Sequence, residues 1–228
     1  MLTCLCDAFY GNVGIATVKV LEHLGCEVHF DDRQTCCGQP PFNAGDWIQA
    51  REVATYTKEI LFRDGQTVVT PSASCAAMTR EGYHLLFPDQ EPLNAFELSE
   101  FIIQELGITT WQTNKTYNKK IAFHRACHGR GIGLTNEAEQ LVASIPGVEL
   151  VPVRNSEQCC GFGGAFCVVE PHLSSEIGKA KIETLLESQP DEIVSGDMGC
   201  LMHLGGMLKH NGNQIRIRHY AEILAETI

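Results

Sequence analysis

No stretch of this sequence is apolar over the ~18–20 residues that a membrane-spanning helix requires. Its start, Met1-Leu2-Thr3-Cys4, has neither the basic residues nor the apolar core of a secretory signal. A cytoplasmic location is the expectation that follows. Basic residues are scarce: 17 Lys and Arg stand against 28 Asp and Glu, a formal charge of −11, and nowhere do they cluster. That balance argues against nucleic acid as a partner. Cys-x-x-Cys does not occur, which removes the usual thiol–disulfide motif and, with it, Cys-x-x-Cys-His haem attachment. A nucleotide fingerprint is missing too. Gly161-Phe162-Gly163-Gly164 has the glycines of a phosphate loop, but it follows a cysteine pair instead of a strand and reads as turn chemistry.

What the chain has in excess is cysteine, eleven in 228 residues. In a reducing compartment that density points to metal binding or catalysis rather than to disulfides, and a chain of this size with 44% apolar residues has core enough without staples. Two adjacent pairs stand out, Cys36-Cys37-Gly38 and Cys159-Cys160-Gly161. Cys4 precedes the first pair by 31 intervening residues, and Cys127 precedes the second by the same 31. Cys75 follows Cys37 after 37 residues, and Cys200 follows Cys160 after 39. Eight cysteines therefore form two copies of one pattern: Cys4, Cys36, Cys37 and Cys75, then Cys127, Cys159, Cys160 and Cys200. Cys6, Cys26 and Cys167 fall outside the register and read as core cysteines. The shared spacing selects Cys4 over Cys6, which would stand 29 residues from the pair.

The segments between the cysteines repeat as well. Lys120–His124 is a strand running towards Cys127; Leu2-Thr3 resembles the clipped end of its counterpart, which marks Met1 as a candidate internal or trimmed start. Apolar residues Ile15, Val18, Leu21 and Leu24 recur at helical spacing, with Asn12 as the expected cap, and Ala138, Leu141, Val142 and Ile145 answer them. Strands are expected at Glu27–Phe30 and Val148–Val151, before the pairs, and at Thr67–Thr70 and Glu192–Val194. Long helices are expected from Asp46, with Trp47, Ala50, Val53, Ile60 and Leu61 inward, and from Pro171, with Leu173, Ile177, Leu185 and Leu186 inward. The closing helices match, Leu98, Glu100, Phe101 and Ile102 against Tyr220, Glu222, Ile223 and Leu224. The pattern predicts an α/β fold of two duplicated cysteine-rich domains, 1–108 and 119–228, each with a mainly parallel sheet flanked by helices. The polar run Thr109–Asn118 is the expected link. In open sheets of this kind ligands collect beyond the carboxyl ends of the strands, where both sets of cysteines fall.

Thiolates are soft ligands for zinc, copper(I) or iron–sulfur clusters, and four satisfy either tetrahedral zinc or one cubane cluster. Structural zinc sites space their cysteines by two to four residues. Adjacent cysteines point apart, which suits separate irons of one cluster better. Gly38 and Gly161 permit unusual φ angles at the turn, and their amides can tune a cluster by hydrogen bonding to sulfur. Zinc in one or both sites, within a binding or scaffold protein, is the alternative, and metal-free thiol reduction is a third. His124, Arg125, His128 and Arg130 flank Cys127 and offer positive charge to a cluster or a carboxylate, or form an ordinary basic patch. His203 stands three residues after Cys200 as a further donor, though Met78 holds the matching place after Cys75.

With these residues in view, the sequence resembles the cysteine-rich CCG-domain family over essentially its whole length. That family includes the B subunit of heterodisulfide reductase and the C-terminal part of the iron–sulfur subunit of glycolate oxidase. The resemblance rests on Thr3-Cys4-Leu5, Asn12-Val13-Gly14, Cys36-Cys37-Gly38-Gln39-Pro40, Cys159 to Gly164, and Gly199-Cys200-Leu201-Met202. Within the family it is similar to the lactate utilisation protein A group. The resemblance implies an iron–sulfur electron-transfer subunit of a three-protein L-lactate oxidation system. Its implied partners are a ferredoxin-like iron–sulfur subunit and a third subunit, with glycolate or another 2-hydroxy acid as the alternative substrate. The family motif ends in Cys-x-x-Cys, whose last position is Met78 or His203 here. The resemblance therefore implies one four-ligand [4Fe-4S] cluster per copy rather than a five-cysteine double cluster. No catalytic residue follows from it.

Overall fold

The computed structural model describes residues 1–63 and 65–228. It is an α/β structure whose strands pair only in parallel. In the second half, β3 (Lys119–His124), β4 (Val148–Val151), β5 (Glu192–Ser195) and β6 (Arg216–His219) form one sheet in the order β4-β3-β5-β6. The first half keeps a two-stranded remnant, β1 (Val68–Thr70) beside β2 (Ala95–Glu97), which corresponds to the β5–β6 pair. No helix among the described residues is long and apolar enough to cross a membrane.

The expected strand at Leu2-Thr3 does not form. Thr3 instead caps the Cys4–Phe9 helix, its hydroxyl accepting from the Cys6 amide, and the Met1 ammonium donates to the Val69 carbonyl at 2.6 Å. Glu27–Phe30 is irregular for a related reason. Its counterpart β4 pairs only with β3, and the first half has no strand in the place of β3. A cleft of about 780 Å³ lies there, bounded by the 27–32 segment on one side and Val68 and Val69 on the other.

That gap also explains the Gly11–His23 helix. Asn12 does not cap it; Tyr10 takes the cap position, and the Asn12 amide donates to Glu222 at 2.6 Å. Of the expected inward residues Ile15, Val18, Leu21 and Leu24, only Leu21 is buried. Val13, Ala16, Val20 and Leu21 are buried, whereas Ile15 is 61% exposed and lines, with Val18, a second cleft of about 350 Å³ beside the missing strand. The helix thus has an apolar face suited to a sheet that is incomplete beneath it.

Other expectations hold. The Asp46 carboxylate accepts from the Gln49 amide and starts the Trp47–Leu61 helix, and Pro171 opens the Pro171–Leu186 helix. Their inward faces differ from the pattern. Ala50, Ala54 and Thr57 are buried but Trp47 is exposed, and Leu185 is buried but Leu173 is exposed. The polar link 109–118 is pinned by Trp111, whose indole donates to the Thr227 hydroxyl and whose amide donates to that of Ser144.

Helices cross between the halves. The Gly11–His23 helix packs on Tyr220–Glu226, and the matching Glu137–Ala143 helix packs on Leu98–Glu100. Val20, Leu98, Ile102, Leu141, Ile145, Tyr220, Ile223 and Leu224 consequently share one core. Both closing helices start in a capping box, Glu97 with Glu100 and His219 with Glu222. Glu97 is fully enclosed, accepts from the Tyr220 hydroxyl at 2.7 Å, and is pushed by burial up to about 7.

Since an unfolded glutamate releases its proton near 4.5 and the folded one near 7, the folded chain holds the extra proton between those values. Stability from this group is therefore full below about pH 4.5 and falls as pH rises through 7, by up to about 3 kcal/mol. Urea midpoints of wild type and Glu97→Gln at pH 5 and pH 8 should show the variant losing less on alkalinisation. Equal losses would show that Glu97 does not titrate in this window.

Candidate metal centres

Each cysteine set is assembled from two helix starts and one loop. Cys4 and Cys127 are the first residues of the Cys4–Phe9 and Cys127–Gly131 helices. Cys75 and Cys200 are the third residues of Ala73–Ala77 and Met198–His210, whose caps are Ser72 and Asp197. Neighbouring sulfurs, together with burial, push the Cys4 and Cys127 thiols up. The pairs come from the loops between these helices, where Gly38 and Gly161 adopt φ of +87° and +89°. The turns are superimposable in their contacts: a Cβ on Gly38 would face the Ala50 carbonyl, and one on Gly161 the Ser174 carbonyl.

The structure brings the eight sequence-predicted cysteines together as two groups. In the first, the sulfurs of Cys4 and Cys36 are 3.7 Å apart, as are those of Cys37 and Cys75. In the second, Cys160 and Cys200 approach to 3.0 Å, and Cys127 lies beside Cys159. Each group has an outer and an inner side. Cys4 and Cys159 are exposed, while Cys37, Cys75, Cys160 and Cys200 are buried. Backbone amides aim at the sulfurs: Gly38 N–H donates to Cys36, Gly161 N–H to Cys159, and Phe162 N–H to Cys160, at 3.3–3.5 Å. Neighbouring thiols donating to Cys36 and Cys159, helped by the glycine amides, hold both well below the usual thiol range.

The donor set, eight thiols in two groups of four, suits soft-metal centres. A single tetrahedral zinc puts its four sulfurs about 3.8 Å from one another, given Zn–S near 2.3 Å. Among the described residues, no three sulfurs of the first group lie mutually within 4.8 Å. They form a chain of contacts that does not close on one tetrahedral ion as arranged in the structure.

Of the remaining candidates, Cys6 is fully buried among Val13, Cys160 and Leu201, and burial pushes its thiol up to about 11. Cys26 packs at the shared core, and the Cys167 thiol donates to the Gly164 carbonyl. Arg125 is spent on Glu139 at 2.7 Å. His128 Nδ1 lies 3.8 Å from the Cys127 sulfur, while its Nε2 reaches Gln39 of the first half at 3.4 Å. His203 faces the Ser174 hydroxyl at 3.4 Å, and Met78 is buried beside Cys37 and Cys75.

Two functional features were not anticipated. Asp197 accepts from its own Gly199 amide and, with its other oxygen, from the Ser72 hydroxyl and Ser74 amide of the first half. The signal was present, since a Ser or Asp three residues before each lone cysteine is a helix-cap signature. Lys181 was not legible: it is fully buried, its ammonium donating to the Asn155 and Ser156 carbonyls just ahead of the second pair, each at 3.2 Å.

Comparison with known proteins agrees with this architecture. A family model described as "Cysteine-rich domain" (CCG) matches residues 1–80 and 121–205. "Lactate utilization protein A" of Geobacillus thermodenitrificans is 39% identical over 98% of this chain and 96% of its own length. Proteins of the same name from Exiguobacterium and Bacillus velezensis are 36% and 37% identical, over 100% and 98% of this chain and 96% of theirs.

The twin turns carry a test of their own. Gly38→Ala forces a left-handed φ on alanine and should cost roughly 1–3 kcal/mol. Gly161→Ala adds a Cβ 2.5 Å from the Ser174 carbonyl, against 3.2 Å for the Ala50 carbonyl at Gly38. It should therefore be the worse of the two by denaturant titration, and the reverse order would show that the turns are not equivalent.

Proposed function

The chain belongs to the cysteine-rich CCG domain family, and from that premise we propose that it is an iron–sulfur electron-transfer subunit acting in L-lactate oxidation. Two repeats, 1–108 and 119–228, each carry one [4Fe-4S] cluster. Cys4, Cys36, Cys37 and Cys75 hold the first, and Cys127, Cys159, Cys160 and Cys200 the second. The observation that carries the reading is the convergence of these eight thiols in two like groups set back to back. The name shared by the relatives supports lactate utilisation as the setting.

A cluster of this kind, when bound, takes up and releases one electron at a time. Oxidation of lactate to pyruvate releases two electrons and two protons, so two centres on one chain match the electron count. The protein's own part is to hold, insulate and tune. Buried Cys37, Cys75, Cys160 and Cys200 keep water from the inner side of each centre. The amides of Gly38, Gly161 and Phe162 offset negative charge on sulfur and so favour the reduced state.

Adjacency of the two groups supports transfer between them. The Cys127–Gly131 helix packs on Ala73–Ala77, and the Cys4–Phe9 helix packs on Met198–His210. Exposed Cys4 and Cys159 turn the outer sides towards partners, which we take to be a ferredoxin-like iron–sulfur subunit and a third subunit in the cytoplasm. Val168 and Val169, 77% and 72% exposed a few residues beyond the second pair, suit such a contact. No side chain is assigned to the carbon chemistry.

Purification without oxygen should give brown protein with iron and acid-labile sulfide in near-equal amounts, about eight of each per chain. Cys160→Ser should lose about half of both. Colourless protein holding only zinc would overturn the electron-transfer reading.

A further inference from the structure

β3 delivers one side chain that the cysteine pattern does not include. Alternation along the strand sends Ile121 and Phe123 into the shared core and Ala122 to the opposite face, among Cys160, Cys200 and Leu201. His124 follows on the Ala122 face. Pairing with Ser195 on β5 fixes its register, and the Ser195 hydroxyl donates to its carbonyl at 2.8 Å. The ring is 1% exposed, and neither of its nitrogens has a hydrogen-bond partner. Unmet polar nitrogens in a sealed site are costly, so the position implies a partner supplied by something bound. One ring nitrogen and the sulfurs of Cys160 and Cys200 all lie within 4.8 Å of one another, a grouping that no other His, Cys, Asp or Glu set among the described residues achieves.

We propose that His124 binds the metal centre of the second cysteine group through a ring nitrogen as a fifth donor beside its four cysteines, making that centre a mixed sulfur–nitrogen site while the first is bound by sulfur alone. The inference rests on the reading of Cys127, Cys159, Cys160 and Cys200 as a metal site. Imidazole is an accepted donor to both iron and zinc, and the sealed ring has no other partner for its nitrogens. His203, the donor suggested by sequence, is turned to Ser174 instead. The first group has no equivalent, because Met1 holds the position three residues before Cys4 that His124 holds before Cys127. A nitrogen donor raises the potential of an iron–sulfur centre, so electrons shared between the two sites should rest on the second.

The test uses the full chain, made with ¹⁵N-histidine or unlabelled, purified without oxygen and loaded with iron and sulfide. Cys37→Ser in the same chain removes the first centre and leaves the second to be read alone. Pulsed EPR of the paramagnetic cluster should show nitrogen coupling of directly bound strength that changes with the label. The coupling should survive His203→Ala and vanish in His124→Ala. An iron–sulfur signal without that coupling in otherwise wild-type second sites overturns the His124 assignment and leaves the electron-transfer reading standing. Zinc in place of iron overturns that reading, yet a zinc absorption-edge spectrum with nitrogen at about 2.0–2.1 Å beside sulfur at about 2.3 Å upholds His124, while sulfur alone rejects it. Protein that takes up no metal overturns both. The labelled wild-type second site decides the matter even if His124→Ala fails to fold.

Discussion

A single buried carboxylate ties the two cysteine groups together. Asp197 is 4% exposed and accepts from Gly199 on one oxygen and from Ser72 and Ser74 on the other. It thereby stabilises the start of two helices that meet end to end, one bearing Cys75 and one bearing Cys200. Each start presents unpaired amides and a partial positive charge, and neither alone would warrant a buried ionised group. Placed between two of them, the carboxylate is both neutralised and hydrogen-bonded, the condition under which a buried charge is tolerated. The positions of Cys75 and Cys200 relative to each other are therefore tied by one short network that bridges the halves directly.

Duplication makes this economical. A structure with two copies of one unit can place like helix starts face to face, so a residue serving one copy is within reach of the other. The same occurs close by, beside Gly196, where Glu97 caps its own helix and receives the hydroxyl of Tyr220, the first residue of the twin helix. Beneath the closing helices lies the shared core, in which the Gly11–His23 and Glu137–Ala143 helices each cover the other half's closing helix. The halves are alike in plan, but the apolar surface that stabilises them is held in common.

Legibility followed the same division. Cysteine spacing, the Gly that must bend each turn, the Asp46 cap and Pro171 depend on a few residues close in sequence, and these could be read directly. Strands 27–30 and 2–3 could not, because a strand exists only with a neighbour to pair with, and the first half provides none. The Ile15 and Val18 stripe has helical spacing but lies over the resulting cleft, so its exposure is a tertiary fact. Lys181 is the sharper failure. Nothing in a lysine's neighbours along the chain foretells that two loop carbonyls, 25 and 26 residues earlier, will cap its ammonium in the interior.

Lys181 also shows that the copies have diverged where it matters for chemistry. Thr57 holds the corresponding place on the first half's helix, and its hydroxyl donates to the Cys36 carbonyl at 2.9 Å. Both residues fasten the loop that presents a cysteine pair, one with a neutral hydroxyl and the other with a buried ammonium. Fastening needs only a hydrogen bond, so the extra charge beside Cys159, Cys160 and Cys200 is not explained by structure alone. A buried cation lowers the cost of adding an electron nearby, and His124 stands on the same side of the same group. Two sites that share their cysteine pattern thus differ in what surrounds it, and under the proposed electron-transfer role both differences favour the second site as the acceptor.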